Sequence, residues 1–142
     1  MIQHYLDALL RQEPTVNPLL TFLNGRLVKA HAGEAVVAVP VSRSFVQGAG
    51  LVSGGILATL ADEAMAHAVL SQVDPGFSTV TAELSVRFLH PADPAKVSSL
   101  TATAKIVNKG KKLIDVEALV QGDDSTALVK ATAIFWLLPR AV

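Results

Sequence analysis

Asp62 is the residue on which chemistry would turn. It lies inside the most apolar stretch of the chain, Ile56 to Leu70, beside Ala58, Met65 and Val69 at the edge of the apolar stripe of a helical wheel. A carboxylate so placed must be paired, partly solvated or shifted in pKa. It can act as a general base that activates water or as a nucleophile toward a carbonyl, and it also suits a rim position bound to a strand or subunit. Upstream stands Ser53-Gly54-Gly55. Ser53 suits the N-cap of a helix, which leaves the amides of Gly54 and Gly55 among the unpaired donors. Backed by the helix dipole, such amides fit a carbonyl oxygen that develops negative charge. The triplet also suits an ordinary cap with glycines for packing.

The remaining groups carry less. Glu63 points about 100° away from Asp62 on the wheel, toward Ile56 and His67, and reads as an i,i+4 pair with His67. No third ligand accompanies that pair, so no metal site is expected. Lys105, Lys109, Lys111 and Lys112 form the one local charge excess, at a hairpin tip. His4, His31 and His90 fall in a terminal helix, a turn and a strand end, with no role assigned. Gly48 and Gly50 lack the third glycine of a dinucleotide loop, and Leu51 breaks a Gly-x-Ser-x-Gly elbow around Ser53. His67 lies about 21 Å along the helix from Ser53, too far to activate it within one chain.

Composition bounds the answer. The 142 residues correspond to one domain, 51% of them hydrophobic and 17% charged, with twelve basic residues balancing twelve acidic ones. Disorder is excluded by that balance, and a broad nucleic-acid surface is not expected. With no cysteine there is no disulfide or thiolate chemistry, in keeping with a reducing compartment. No run reaches the roughly 18 apolar residues of a membrane span. The N-terminus lacks a basic segment followed by an apolar core, so the expectation is a cytoplasmic domain without membrane association. Its surplus of apolar surface points to self-association.

The elements that position these residues are legible by pattern. Helices are expected at His4–Gln12 and, with Asn17 as N-cap and Pro18 at the first helical position, at Leu19–Leu23, which Gly25 ends. Strands follow at Arg26–Ala32 and Ala35–Val41. After the glycine-punctuated loop 47–55 comes a helix of about 17 residues, apolar nearly all round and therefore wrapped by other elements. Strands are then expected at Ser78–His90, Lys96–Asn108, Leu113–Gln121 and Ala127–Leu138, joined by tight turns as an antiparallel meander. Phe135 and Trp136 alternate faces of the last strand. The expected architecture is one α+β domain over 1–142, with a helical segment 1–24 and a core 25–142 whose antiparallel sheet curls around one long helix.

The segment Gly50-Leu51-Val52-Ser53-Gly54-Gly55-Ile56-Leu57-Ala58-Thr59-Leu60-Ala61-Asp62 resembles the helix start of hotdog-fold acyl-CoA thioesterases, nearest to the phenylacetate-degradation branch. Thr81 to Ala92 looks like that family's central strand ending in Pro-Ala, and Gly110 to Leu113 with Val116 to Ala118 like its next hairpin. The resemblance covers roughly residues 17 to 137 and implies a hotdog fold. It implies hydrolysis of acyl-CoA thioesters, with coenzyme A as part of the substrate and no separate cofactor. Gly54 would polarise the carbonyl and Asp62 drive hydrolysis, with Gln47, Ser53 and Thr81 around them. Gly55, Met65 and Val69 or the loop residues Phe45 and Val46 would meet the acyl group, and Lys109, Lys111 and Lys112 the phosphates of coenzyme A.

Two positions depart from the family pattern, Ser53 for its usual His and Gln47 for its usual Asn. They leave a non-catalytic acyl-CoA-binding hotdog protein as the alternative. A hotdog dehydratase is a third reading, but it needs a histidine that 45–55 lacks. Spacing adds a constraint. Eight residues separate Gly54 from Asp62, about 12 Å along one helix. One carbonyl cannot reach both, so Gly54 of one copy must face Asp62 of another. Two antiparallel helices across a two-fold axis give two identical sites per homodimer, and a dimer of dimers is the larger assembly compatible with this.

Overall fold

Two short helices lead the chain in the computed structural model, which describes residues 2–141. α1 (Ile2–Leu10) buries Ile2, Leu6, Ala8 and Leu9 on one side. It starts and stops two residues earlier than the pattern predicts, and just past its end Gln12 turns left-handed at φ 57°. α2 (Pro18–Phe22) opens as expected: the Asn17 side chain accepts from the Leu20 amide, with Pro18 at the first position. Its C-cap is Leu23, and the residue that turns the chain away is Asn24 rather than Gly25. Asn24 takes the left-handed turn, at φ 53°, since its side chain tolerates that region better than most. Gly25 serves close packing instead, as a Cβ there would lie 3.0 Å from Val39.

β1 (Arg26–His31) and β2 (Glu34–Pro40) form a hairpin whose two-residue turn, Ala32 and Gly33, has positive φ at both positions, which matches the strand twist. After a single 3₁₀ turn at Arg43–Phe45 comes α3 (Gly54–Leu70), 17 residues long. β3 (Phe77–Phe88), β4 (Ser99–Lys109), β5 (Leu113–Gly122) and β6 (Ala127–Pro139) complete the chain. β4 starts later than expected because Asp93 closes a turn, its carbonyl accepting from the Lys96 and Val97 amides.

The six strands form one antiparallel sheet in the order β1-β2-β4-β5-β6-β3. Only β4-β5-β6 is a meander. β3 does not pair with β4 as the pattern predicts; it lies at the far edge, against β6. The sheet wraps α3, whose Leu57, Leu60, Ala61, Ala64, Met65 and Ala68 are buried against it. Under the helix the central strands present Ala102, Ala104, Ala118, Ala131 and Ala133, all buried. Short side chains there let the helix sit close to the sheet, and the larger Leu100, Ile114 and Phe135 fill the remaining space. This is the helix-wrapping α+β architecture of the hotdog fold.

Candidate active site

The start of α3 is held by its loop. The Ser53 amide donates to Phe45 O at 2.8 Å and the Val52 amide to Ala92 O at 3.0 Å. Ser53 is the N-cap, as predicted, and its hydroxyl accepts from the Gly55 amide at 3.3 Å. The Gly55 amide is therefore engaged, whereas the Gly54 amide makes no hydrogen bond among the described residues. The helix start thus offers one free donor there rather than two, because a capping hydroxyl satisfies the amide two residues on. Gly54 also lies under the Phe88 ring, and a Cβ on it would sit 3.1 Å from that ring.

A cavity of about 340 Å³ opens beside Gly54, lined among others by Gln47, Leu57, Phe88, His90 and Pro91. Gln47 Oε1 accepts from the Ala49 amide, so its amide NH₂ is the group left to meet a ligand. Phe88 and His90 were not singled out as site residues by sequence. They arrive at the helix start only because the end of β3 folds over it, and nothing in their spacing records that.

Asp62 sits half-buried on α3, and the Thr81 hydroxyl donates to its Oδ1 at 2.7 Å. Thr81 stands beside the bulge that interrupts the β3–β6 register between Thr81 and Glu83. Asp62 and Thr81 are therefore brought together, while Gly54 and Gln47 lie toward the start of the same helix. Met65 and Val69, expected to meet an acyl chain, are fully buried at 0% exposure, and Phe45 is buried as well. All three belong to the core cluster of this chain.

The lysines divide. Lys109 Nζ donates to Gln72 O at 2.8 Å, tying the hairpin to the chain just past α3. In this arrangement the Lys109 ammonium already holds a backbone carbonyl on the segment that follows α3. Lys111 and Lys112 stay exposed at the turn. Lys105 pairs instead with Glu117 at 3.4 Å.

Glu63 and His67 approach to only 4.0 Å. His67 Nδ1 donates to the Glu63 carbonyl at 2.6 Å, and the Tyr5 hydroxyl meets Nε2 at 3.0 Å. The Asn17 amide donates to both Tyr5 and the Glu63 carboxylate, at 3.1 Å each. Burial raises the Tyr5 phenol above its ordinary 10.0; the Asn17 hydrogen bond opposes this and the Glu63 charge adds to it. This cluster fastens α1 and α2 to α3 with every side-chain partner satisfied.

The family model of the thioesterase superfamily matches residues 49–128, more than half of the chain, and includes both Gly54 and Asp62. The chain belongs to the thioesterase superfamily. Within it, this member is 32% identical to the acyl-coenzyme A thioesterase PaaI of Escherichia coli over 106 residues, 73% of this chain and 72% of that one. The solved structure of that protein, described as from the phenylacetic acid degradation operon, has a TM-score of 0.81 at 22% identity and covers 97% of this chain and 96% of its own. A hypothetical thioesterase of Streptococcus pneumoniae, solved with coenzyme A, has a TM-score of 0.74 at 23% identity over 84% of this chain and 89% of that chain. The likeness of the Gly50–Asp62 segment to a hotdog thioesterase of the phenylacetate-degradation type is thereby borne out.

Proposed function

We propose that this chain hydrolyses acyl-CoA thioesters at a site formed by two copies, each giving Gly54 to one site and Asp62 to the other. The observation that carries the reading is the division of labour along α3. A free amide at Gly54 and a carboxylate steadied by Thr81 lie about 12 Å apart on one helix. A second observation supports pairing: β3 is a free sheet edge of 12 residues, and most of its residues are exposed. Such an edge is a template for another strand.

In this mechanism the carbonyl oxygen lies against the Gly54 amide, which stabilises the charge that grows there. Within the copy that supplies it, the Asp62 carboxylate has one oxygen held by its own chain's Thr81, and the other oxygen accepts a proton from the attacking water. Collapse of the adduct breaks the C–S bond and releases the acid and coenzyme A. Lys111 and Lys112 act as point-charge partners of the nucleotide phosphates. A cytoplasmic setting fits this substrate, and among the described residues no helix is long and apolar enough to cross a membrane.

A panel of short-chain, long-chain and aromatic acyl-CoAs, read with a free-thiol reagent, tests the reading. Wild type is expected to release thiol and Asp62→Asn to be nearly silent. Equal rates in the two would remove Asp62 from the mechanism. A raised melting temperature with acyl-CoA and no thiol release would favour the binding-protein alternative.

A further inference from the structure

Among the residues that line the Gly54 cavity, His90 alone carries an ionisable side chain. It stands just past the end of β3, and its Nδ1 is 2.8 Å from Ala127 O. A carbonyl oxygen only accepts, so Nδ1 carries the hydrogen and the neutral ring keeps its lone pair on Nε2. Nε2 has no hydrogen-bond partner among the described residues. The ring is thus fixed at one nitrogen and open at the other, and it lines the same cavity as the open Gly54 amide.

We propose that His90 is a catalytic residue of this site, its imidazolium donating Nε2–H to the same carbonyl oxygen that the Gly54 amide meets. The inference rests on the thioester-hydrolysis reading. When the water oxygen bonds to the carbonyl carbon, the π pair moves to oxygen and both donors hold the resulting oxyanion. The water's proton goes to the carboxylate of Asp62. Reformation of the carbonyl expels the thiolate, which takes that proton, and His90 keeps its own throughout. Two carboxylates and one ammonium, Asp93, Asp124 and Lys96, line the neighbouring cleft together with His90. The carboxylate of Asp62 would be the further charge at the site.

A pair of variants separates catalysis from bracing. In His90→Asn the side-chain amide stands where Nδ1 was, so the bond to Ala127 is kept and the Nε2 donor is lost. In His90→Gln the amide reaches the Nε2 position and donates at every pH, while the brace is lost. With the acyl-CoA panel, His90→Asn is expected to lower kcat on the order of 100-fold at an unchanged melting temperature. His90→Gln is expected to keep most of kcat, because its amide still donates to the carbonyl oxygen, and to have a flatter pH profile than wild type.

Wild-type kcat and pH profile in His90→Asn would overturn the proposal. So would equal losses in both variants with lowered melting temperatures, which would make His90 a brace between β3 and β6. Thiol release that Asp62→Asn abolishes and His90→Asn spares would overturn the role of His90 alone. Silence of the wild type on every acyl-CoA would overturn both readings.

Discussion

At the scale of single residues, the pairing of Asp62 with Thr81 is the most informative contact. A hydroxyl donating at 2.7 Å fixes one carboxylate oxygen and leaves the other for water. Asp62→Asn is expected to lower kcat by about 10²–10⁴-fold with little change in KM, the usual size of a lost general base. Thr81→Val should cost about tenfold, because the carboxylate survives but is less well aimed; steady-state kinetics checks both. Asp62 was legible from type and position, and Thr81 only through the family resemblance. Phe88 and His90 were not, since each sits on a strand end and only the fold carries that end over Gly54.

The sole tyrosine gives a further residue-scale test. Its phenol is raised above 10.0 in the folded state, chiefly by burial. A group raised on folding contributes stability below its unfolded pKa and loses it as pH rises through the folded one. Phenolate absorbance should therefore appear above pH 10 in native protein and near pH 10 in denaturant, and the docking of α1 should weaken over that interval. Coincident titrations would contradict this.

At the scale of elements, α3 illustrates how far periodicity reaches. Its ends and its burial follow from a predominantly apolar 17-residue segment between Ser53 and Ser71. Leu60, 1% exposed, packs where the sheet is paved with alanines. Leu60→Ala should lower stability by about 2–5 kcal/mol, as seen for large-to-small changes in cores, measurable by denaturant unfolding. β3 shows the limit of the same reasoning. Its strand character is written in its residues, but its partner is not. The connection 89–98 is long enough to leave the meander, and the choice between neighbouring β4 and crossing to β6 depends on which inner face completes the wrap around α3. Within the structure β3 ends as an edge, with Val80 and Phe88 about half exposed. A lysine at Leu84 should keep the chain folded and shift it to monomer by sedimentation, with loss of thiol release, because a charge on a strand edge opposes pairing.

At the scale of the whole molecule, the shared site makes a prediction that no single-chain site would make. Asp62→Asn and Gly54→Val should each be inactive alone. Mixed after exchange of subunits, half of the dimers are mixed and each holds one intact site, so about a quarter of wild-type activity should return. No recovery in verified mixed dimers would show that each chain carries its own complete site. Substrate affinity should also weaken with salt, since exposed Lys111 and Lys112 act through screened charge, and Lys112→Ala should reduce that dependence.

The sequence by itself determined the helix-wrapping α+β class, the long buried helix with its Ser53 cap, the likeness to hotdog thioesterases and the separation of Gly54 from Asp62. These depend on local spacing and on the burial that an apolar period demands, and both are properties of neighbouring residues. Only the tertiary structure decided that β3 crosses to the far edge, that Met65 and Val69 belong to the core, that Lys109 ties its hairpin to Gln72 just past α3, and that Phe88 and His90 reach the helix start. Those outcomes join residues far apart in the chain, through side chains competing for the same space and partners, and no local pattern records which contact wins.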